Sequence, residues 1–222
     1  MYKLYYMPLD TFCRAARVIL HEKEIKFESI NEPVWKRRLD FLKINPEGEL
    51  PVVIDDSGNT IIGVESLAEF LDETNVGVNL VGITSLERLE VRRLNRWINR
   101  KLFKEVIEYI VDERVFKHIK NKGNPSSDAI KAGRINLKNH LNYFEWILKK
   151  KSFLAGEKFS LADISYSCAL SCLDYLGEIE WNNYDFTKKW YALIKSRPSF
   201  RDILLEKIYN IPPSKNYKNL DF

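Results

Sequence analysis

From Leu94 to Ile110 an aliphatic residue stands at every fourth position, Leu94, Ile98, Leu102, Val106 and Ile110, with charges between them. A repeat of that length near the helical period requires a long amphipathic helix. Nothing before residue 75 behaves this way. Lys3 to Tyr6 reads as a short aromatic-rich strand, Arg14 to Glu22 as a helix through Ala16, Ile19 and Leu20, and Lys26 to Ile30 as a second strand. After a Trp- and Arg-bearing segment, Trp35 to Lys43, the stretches 50–54 and 60–62 flank the turn Asp55-Asp56-Ser57-Gly58-Asn59, which predicts a hairpin. A helix from Ser66 to Glu73 closes this part. Beyond Ser85 the chain is helical, broken at Asn124-Pro125-Ser126-Ser127 and Arg197-Pro198-Ser199-Phe200 into helices over 128–151, from Ser160 and from Phe186. The change of period predicts an α/β domain over 1–80, an all-α domain over 81–205 and an extended tail over 206–222.

With 222 residues, 45% of them hydrophobic, the chain can bury a real core. Three cysteines, Cys13, Cys168 and Cys172, are too few for a disulfide framework. Cys168 and Cys172 share a helix face with no histidine near in sequence, so they read as buried free thiols. No apolar run reaches the roughly 20 residues that span a bilayer, and the first residues lack the pattern of a secretory signal. A cytoplasmic protein without membrane insertion is expected. Its 35 basic residues are interleaved with 31 acidic ones and no recognisable nucleic-acid module is present, which argues against nucleic acid as a partner. The surplus of basic charge favours an acidic protein partner. Arg92, Arg93, Arg96, Arg100 and Lys101 read as a solvated helix flank.

Phe159-Ser160-Leu161-Ala162-Asp163-Ile164 is a capping box with a hydrophobic staple, a strong helix start. The same stretch resembles the capping box of the glutathione S-transferase superfamily. It comes with that superfamily's other marks in order: Cys13-Arg14, Asn45-Pro46-Glu47-Gly48, Leu50-Pro51, Glu65-Ser66 and Arg197-Pro198-Ser199-Phe200. The resemblance implies a thioredoxin-like N-terminal domain followed by an all-helical C-terminal domain, with a cis bond before Pro51. It also implies that Leu50, Pro51, Glu65 and Ser66 occupy glutathione-site positions, unless Pro51, Glu65 and Ser66 only shape a loop and cap a helix. Superfamily members pair as homodimers.

A transferase needs a hydroxyl or thiol at the start of its first helix to stabilise or supply a thiolate. Asp10 stands about there instead, and a carboxylate repels a thiolate; it reads as an N-cap. Thr11 and Cys13 remain as weak candidates for the catalytic group. Trp35 would sit on the lip of the glutathione groove, either as a hot spot for a partner or as a packed aromatic.

The runs Asp112-Glu113-Arg114-Val115-Phe116-Lys117 and Leu170-Ser171-Cys172-Leu173-Asp174-Tyr175-Leu176-Gly177, and the tail from Pro212, resemble one branch of that superfamily, the transferase-like FtsZ-localized division proteins of bacteria. That resemblance implies a non-enzymatic regulator that binds FtsZ filaments, or another division protein, through its groove and tail, recruited to the division site. On this reading no cofactor is required, and glutathione is an optional ligand. The alternative is an active glutathione transferase or glutathione-dependent thiol reductase. Tyr217, Leu220, Asp221 and Phe222 are the candidate contact residues of the tail; the competing reading folds Tyr217, Leu220 and Phe222 back onto the protein itself.

Overall fold

The computed structural model describes residues 1–74 and 77–220. Strand β1 (Tyr2–Tyr6) lies between β2 (Phe27–Asn31), to which it is parallel, and β3 (Val52–Ile54), to which it is antiparallel; β4 (Thr60–Ile62) pairs antiparallel with β3. The crossover from β1 to β2 is helix α1 (Thr11–Glu22), as a parallel pair requires. A 3₁₀ turn (Val34–Lys36) and α2 (Leu39–Ile44) lead to β3, and α3 (Val64–Thr74) follows β4. This is the thioredoxin-like arrangement.

The second part opens with α4 (Ser85–Arg96), started by a capping box between Thr84 and Glu87. It runs without a break into a π-wound stretch, Trp97–Phe116, and the closing turn α5 (Lys117–Ile119). A strict four-residue repeat drifts by about 40° per step around a 3.6-residue turn. The wider winding reduces that drift, and Leu94, Ile98, Leu102, Val106 and Ile110 all stay buried. Helix α6 (Ser127–Leu148) packs along this stretch, where Gly133 permits close approach: a Cβ there would stand 2.8 Å from Ile110 Cγ1. Helix α7 (Leu161–Tyr175) is buried along its whole length and packs on α1, α4 and the π-wound stretch. Helices α8 (Asp185–Lys195) and α9 (Arg201–Leu205) complete the set.

Asp163 fixes the start of α7, as the capping box predicts. Its carboxylate accepts from Ser160 N–H at 2.9 Å, the Ser160 hydroxyl at 2.8 Å, Leu154 N–H at 2.9 Å and Trp190 Nε1 at 3.1 Å. No helix among the described residues is long and apolar enough to cross a membrane.

Candidate functional site

The loop before α1 is held from both sides. Leu9 has a left-handed backbone, φ 57°, a conformation unfavourable for a residue with a Cβ. Its N–H donates to Glu206 Oε2 at 2.9 Å and its carbonyl accepts from Cys172 Sγ at 3.3 Å. Asp10 caps α1, accepting from Cys13 N–H at 2.8 Å.

Thr11 is buried at the helix start, and its Oγ1 has no hydrogen-bond partner among the described residues. It supplies the kind of free hydroxyl that thiolate stabilisation requires. Because no bond is lost, Thr11→Val is expected to leave folding stability unchanged or to raise it by about 1 kcal/mol; urea unfolding checks this.

Cys13 does not fit the role of thiolate. It is fully buried, the Met7 N–H points at its Sγ at 3.4 Å, and burial, with Asp10 next, pushes its thiol well above the ordinary range. The small side chain packs the α1 face. Burial likewise raises Cys168 and Cys172, the latter to about 12, and all three are free. In the native protein an aromatic disulfide reagent is expected to modify none of the three within an hour-scale assay, and all three after denaturation. A fast-reacting Cys13 would restore it as a candidate.

The opposite rim carries the other motif residues. The Leu50–Pro51 bond is cis, and the Pro51 carbonyl accepts from Gly63 N–H at 3.1 Å, which brings the start of α3 alongside. Glu65 and Ser66 are exposed in the first turn of α3. Glu65 is committed across the domains: its Oε1 accepts from Asn95 at 2.8 Å and Asn99 at 2.9 Å, while Asn95 Oδ1 accepts from Ser165 in α7 at 2.6 Å.

Carboxylates dominate the electrostatics near the α1 start. Burial raises Asp10, and it raises Asp112 on the π-wound stretch to about 6, with Asp10, Glu108 and Glu113 adding to the effect on Asp112 and Lys120 opposing it. The nearest arginines are committed elsewhere. Arg14, fully buried, donates from Nη2 at 2.7 Å and Nε at 3.1 Å to Glu206 and from Nη1 to Ser171 at 2.8 Å; Arg17 reaches Glu206 at 2.7 Å.

The tail is anchored by the same cluster, which corrects the reading of Tyr217 as a partner contact. Tyr217 is fully buried, its hydroxyl donates to the Ile203 carbonyl at 3.1 Å, and its ring meets Tyr175 edge-on at 5.1 Å. The Arg14 guanidinium lies 6.0 Å from both rings. Lys195, itself buried, donates to the Asn219 carbonyl at 2.7 Å and lies 3.6 Å from Asp174. Leu220 remains exposed; Asp221 and Phe222 lie outside the described residues.

Trp35 is half-buried. It lines a cavity of about 510 Å³ with His118, Ile119, Lys207 and Tyr209, and Met7 and Pro8 form its side toward α1. Tyr209 is 85% exposed and Lys120 Nζ lies 6.0 Å from the Trp35 ring. Tyr209, Glu206 and Lys195 were not singled out by the sequence. No local pattern marks them, since each acts through partners far away in the chain.

Two family models match the chain, glutathione S-transferase N-terminal domain over residues 4–78 and glutathione S-transferase C-terminal domain over residues 110–198. The curated protein FtsZ-localized protein A from Caulobacter vibrioides is 34% identical over 99% of this chain and 97% of its own length. Among solved structures, a glutathione S-transferase from Rhodospirillum rubrum F11 superposes with TM-score 0.97 at 41% identity, covering 100% of both chains. FzlA from C. crescentus superposes with TM-score 0.96 at 34% identity, covering 100% of this chain and 99% of that one.

Proposed function

The chain belongs to the glutathione S-transferase family, and on that premise we propose that it is a non-enzymatic division protein of the transferase fold that binds FtsZ filaments. The observation that carries the non-enzymatic part is the charge around the first turn of α1. A glutathione thiolate there would face Asp10 and Asp112, with Arg14 and Arg17 already spent on Glu206 and Cys13 sealed in the core. Each carboxylate opposes the anion that transferase chemistry must stabilise. The FtsZ part rests on the full-length likeness to FtsZ-localized protein A and on a surface suited to a partner. Trp35 and Tyr209 border one cavity, and aromatic residues at a partly desolvated site are the usual anchors of an interface. Tyr217 serves this surface indirectly, by fixing the tail that carries Tyr209 and Leu220.

A homodimer suits this role. Two copies of a weak site raise avidity for a polymer through effective concentration, without new contacts.

A second reading, an active transferase with glutathione bound, is favoured by the free Thr11 hydroxyl, the cis Pro51 bond and the exposed Glu65–Ser66 turn. Turnover of glutathione with 1-chloro-2,4-dinitrobenzene separates the two. The proposal expects no rate above the uncatalysed reaction; the second reading expects saturable turnover that falls about 100-fold in Thr11→Val, the scale of losing one group that stabilises the reacting anion.

A further inference from the structure

Cations reach the Trp35 cavity from three separate parts of the chain. Lys120 comes from the end of the long helix, its Nζ 6.0 Å from the Trp35 ring; Lys207 comes from the tail; Lys36 and Arg37, both exposed, follow Trp35 itself. His118 adds its ring nitrogens to the lining, and no Asp or Glu lines the cavity among the described residues. Other basic groups of this region are spent: Arg14 and Arg17 on Glu206, Lys117 on Glu113, and Arg38 beside Glu32 at 3.5 Å. The side chains of Lys36, Arg37, Lys120 and Lys207 have no hydrogen bond or ion pair among the described residues. Lys120 is felt at Asp112 but forms no ion pair with it.

The backbone around the same cavity is strained. Five non-glycine residues have positive φ among the described residues. Asn121 (52°) and Asn210 (59°) line the cavity, Leu9 (57°) follows the lining residue Pro8, and Arg37 (46°) stands two residues past Trp35. A Cβ disfavours that conformation. Asn121 is explained by the helix it ends, its N–H donating to the His118 carbonyl at 3.1 Å, but Leu9, Arg37 and Asn210 end no long helix. Strained residues gathered around one cavity mark a shaped recognition site rather than an accidental gap.

On the premise that the protein binds FtsZ, we propose that this cavity takes an acidic segment of the filament subunit. An aspartate or glutamate of that segment pairs with Lys120 and Lys207, and an apolar side chain beside it packs on Trp35 and Tyr209. The basic charge here is uncompensated within the chain, so an anion from outside is its complement. Lysine carries a compact charge on a flexible stem, which lets two lysines from different elements close on one carboxylate. The aromatic rings supply the buried area, and the ion pairs set polarity and speed the encounter. A small free carboxylate would satisfy the charge but leave Tyr209, 85% exposed, uncovered, which favours a protein segment.

The test is co-sedimentation of the full chain with polymerised FtsZ at about 50 mM and about 200 mM salt, a rise that shortens the reach of exposed charge. The filament pelleted alone is the control at each salt. Wild type is compared with the double variants Lys120→Glu, Lys207→Glu and Lys120→Arg, Lys207→Arg. Wild type bound at the lower salt is also treated with a carbodiimide, which joins a lysine amine to a carboxyl in direct contact. Binding is expected to weaken at the higher salt, to fall about tenfold or more in the glutamate pair and to be kept in the arginine pair. Amide cross-links are expected from Lys120 or Lys207 to an Asp or Glu of FtsZ. Lys207 is exposed and Lys120 half-buried, so the fold should survive; if the thermal midpoint of the glutamate pair falls, Lys120→Gln with Lys207→Gln replaces it. Wild type that does not pellet overturns the FtsZ premise and this inference with it. Wild type that pellets no better than the charge variants, or that cross-links only through other lysines, overturns this inference and leaves the premise intact. Displacement by free glutarate beyond that of sodium chloride at the same ionic strength would give the cavity to a small anion, and loss of self-association in the glutamate pair by sedimentation velocity would give it to a second copy; either overturns the proposal.

Discussion

Arg14→Ala is expected to destabilise the protein by about 3–5 kcal/mol, the scale for removing one partner of a buried ion pair and stranding the other. Arg14 is fully buried, and Glu206, with its side chain 7% exposed, would lose two of its three guanidinium contacts, keeping only the one from Arg17. The damage would not stay local. Arg14 lies beside the Tyr175 and Tyr217 rings, and Glu206 also receives the Leu9 N–H, so the start of α1 and the base of the tail loosen together. Burial works to raise the Glu206 pKa, but Arg14, Arg17 and their hydrogen bonds outweigh it and hold the group below its ordinary value. The sign follows: this stabilisation is present above the unfolded value, about 4.3, and is lost as pH falls through the lower folded value. Urea unfolding at neutral pH should therefore show a lower midpoint in Arg14→Ala with unchanged m, and the difference from wild type should shrink on acidification. A midpoint within about 0.5 kcal/mol of wild type, the size of an ordinary surface change, would mean that the cluster does not bind the tail to the first domain.

Asp163→Ala is the second severe change. It leaves Ser160 N–H, the Ser160 hydroxyl, Leu154 N–H and Trp190 Nε1 without their acceptor in the interior. One stranded donor costs about 1–3 kcal/mol, so a loss of about 3 kcal/mol or more is expected from the group. Burial raises the Asp163 pKa to about 6 from 3.8 while those four donors pull it down. Here the sign is opposite to that of Glu206. The folded state binds the proton more tightly, so this group alone makes stability fall as pH rises from about 4 to about 6. Asp163→Asn keeps an acceptor oxygen and removes the titration, and its stability should lose that slope. A slope unchanged in Asp163→Asn would assign the pH dependence to other groups.

Much of the frame was legible because it is local. Period two gave the strands, the turn at 55–59 gave the hairpin, and Phe159 to Ile164 named its own helix start. The cis bond at Pro51 came from the resemblance, not from spacing. The regular i+4 stripe from Leu94 to Ile110 announced a long helix but not its π winding, which depends on how α6 and α7 seat against it. The candidate site was less legible. Tyr217 could be seen as an anchor, yet its partners Arg14 and Tyr175 lie about 200 and about 40 residues upstream, beyond any periodic signal. Trp35 stood out, but its cavity is completed by Tyr209 and Lys207, two unremarkable residues of the tail. The basic flank from Arg92 to Lys101 was read from the sequence, but not the groove that it lines with Leu89 and Trp97, because spacing does not show which part of a helix face its neighbours leave open.

The burial of Tyr217 also decides how the central claim must be tested. Cutting the tail after Ile211 would remove Tyr217 and uncover Tyr175 and Lys195, so lost binding could reflect lost structure. Trp35→Ala with Tyr209→Ala alters the cavity border alone. The measurement is co-sedimentation with polymerised FtsZ, wild type beside this double variant, each checked for an unchanged thermal midpoint. The account predicts that wild type pellets with the filaments and that the variant binds about tenfold or more weakly, as expected for losing two aromatic anchors worth about 1 kcal/mol or more each. Wild type that stays in the supernatant, while glutathione is bound saturably and turned over through Thr11, would contradict it.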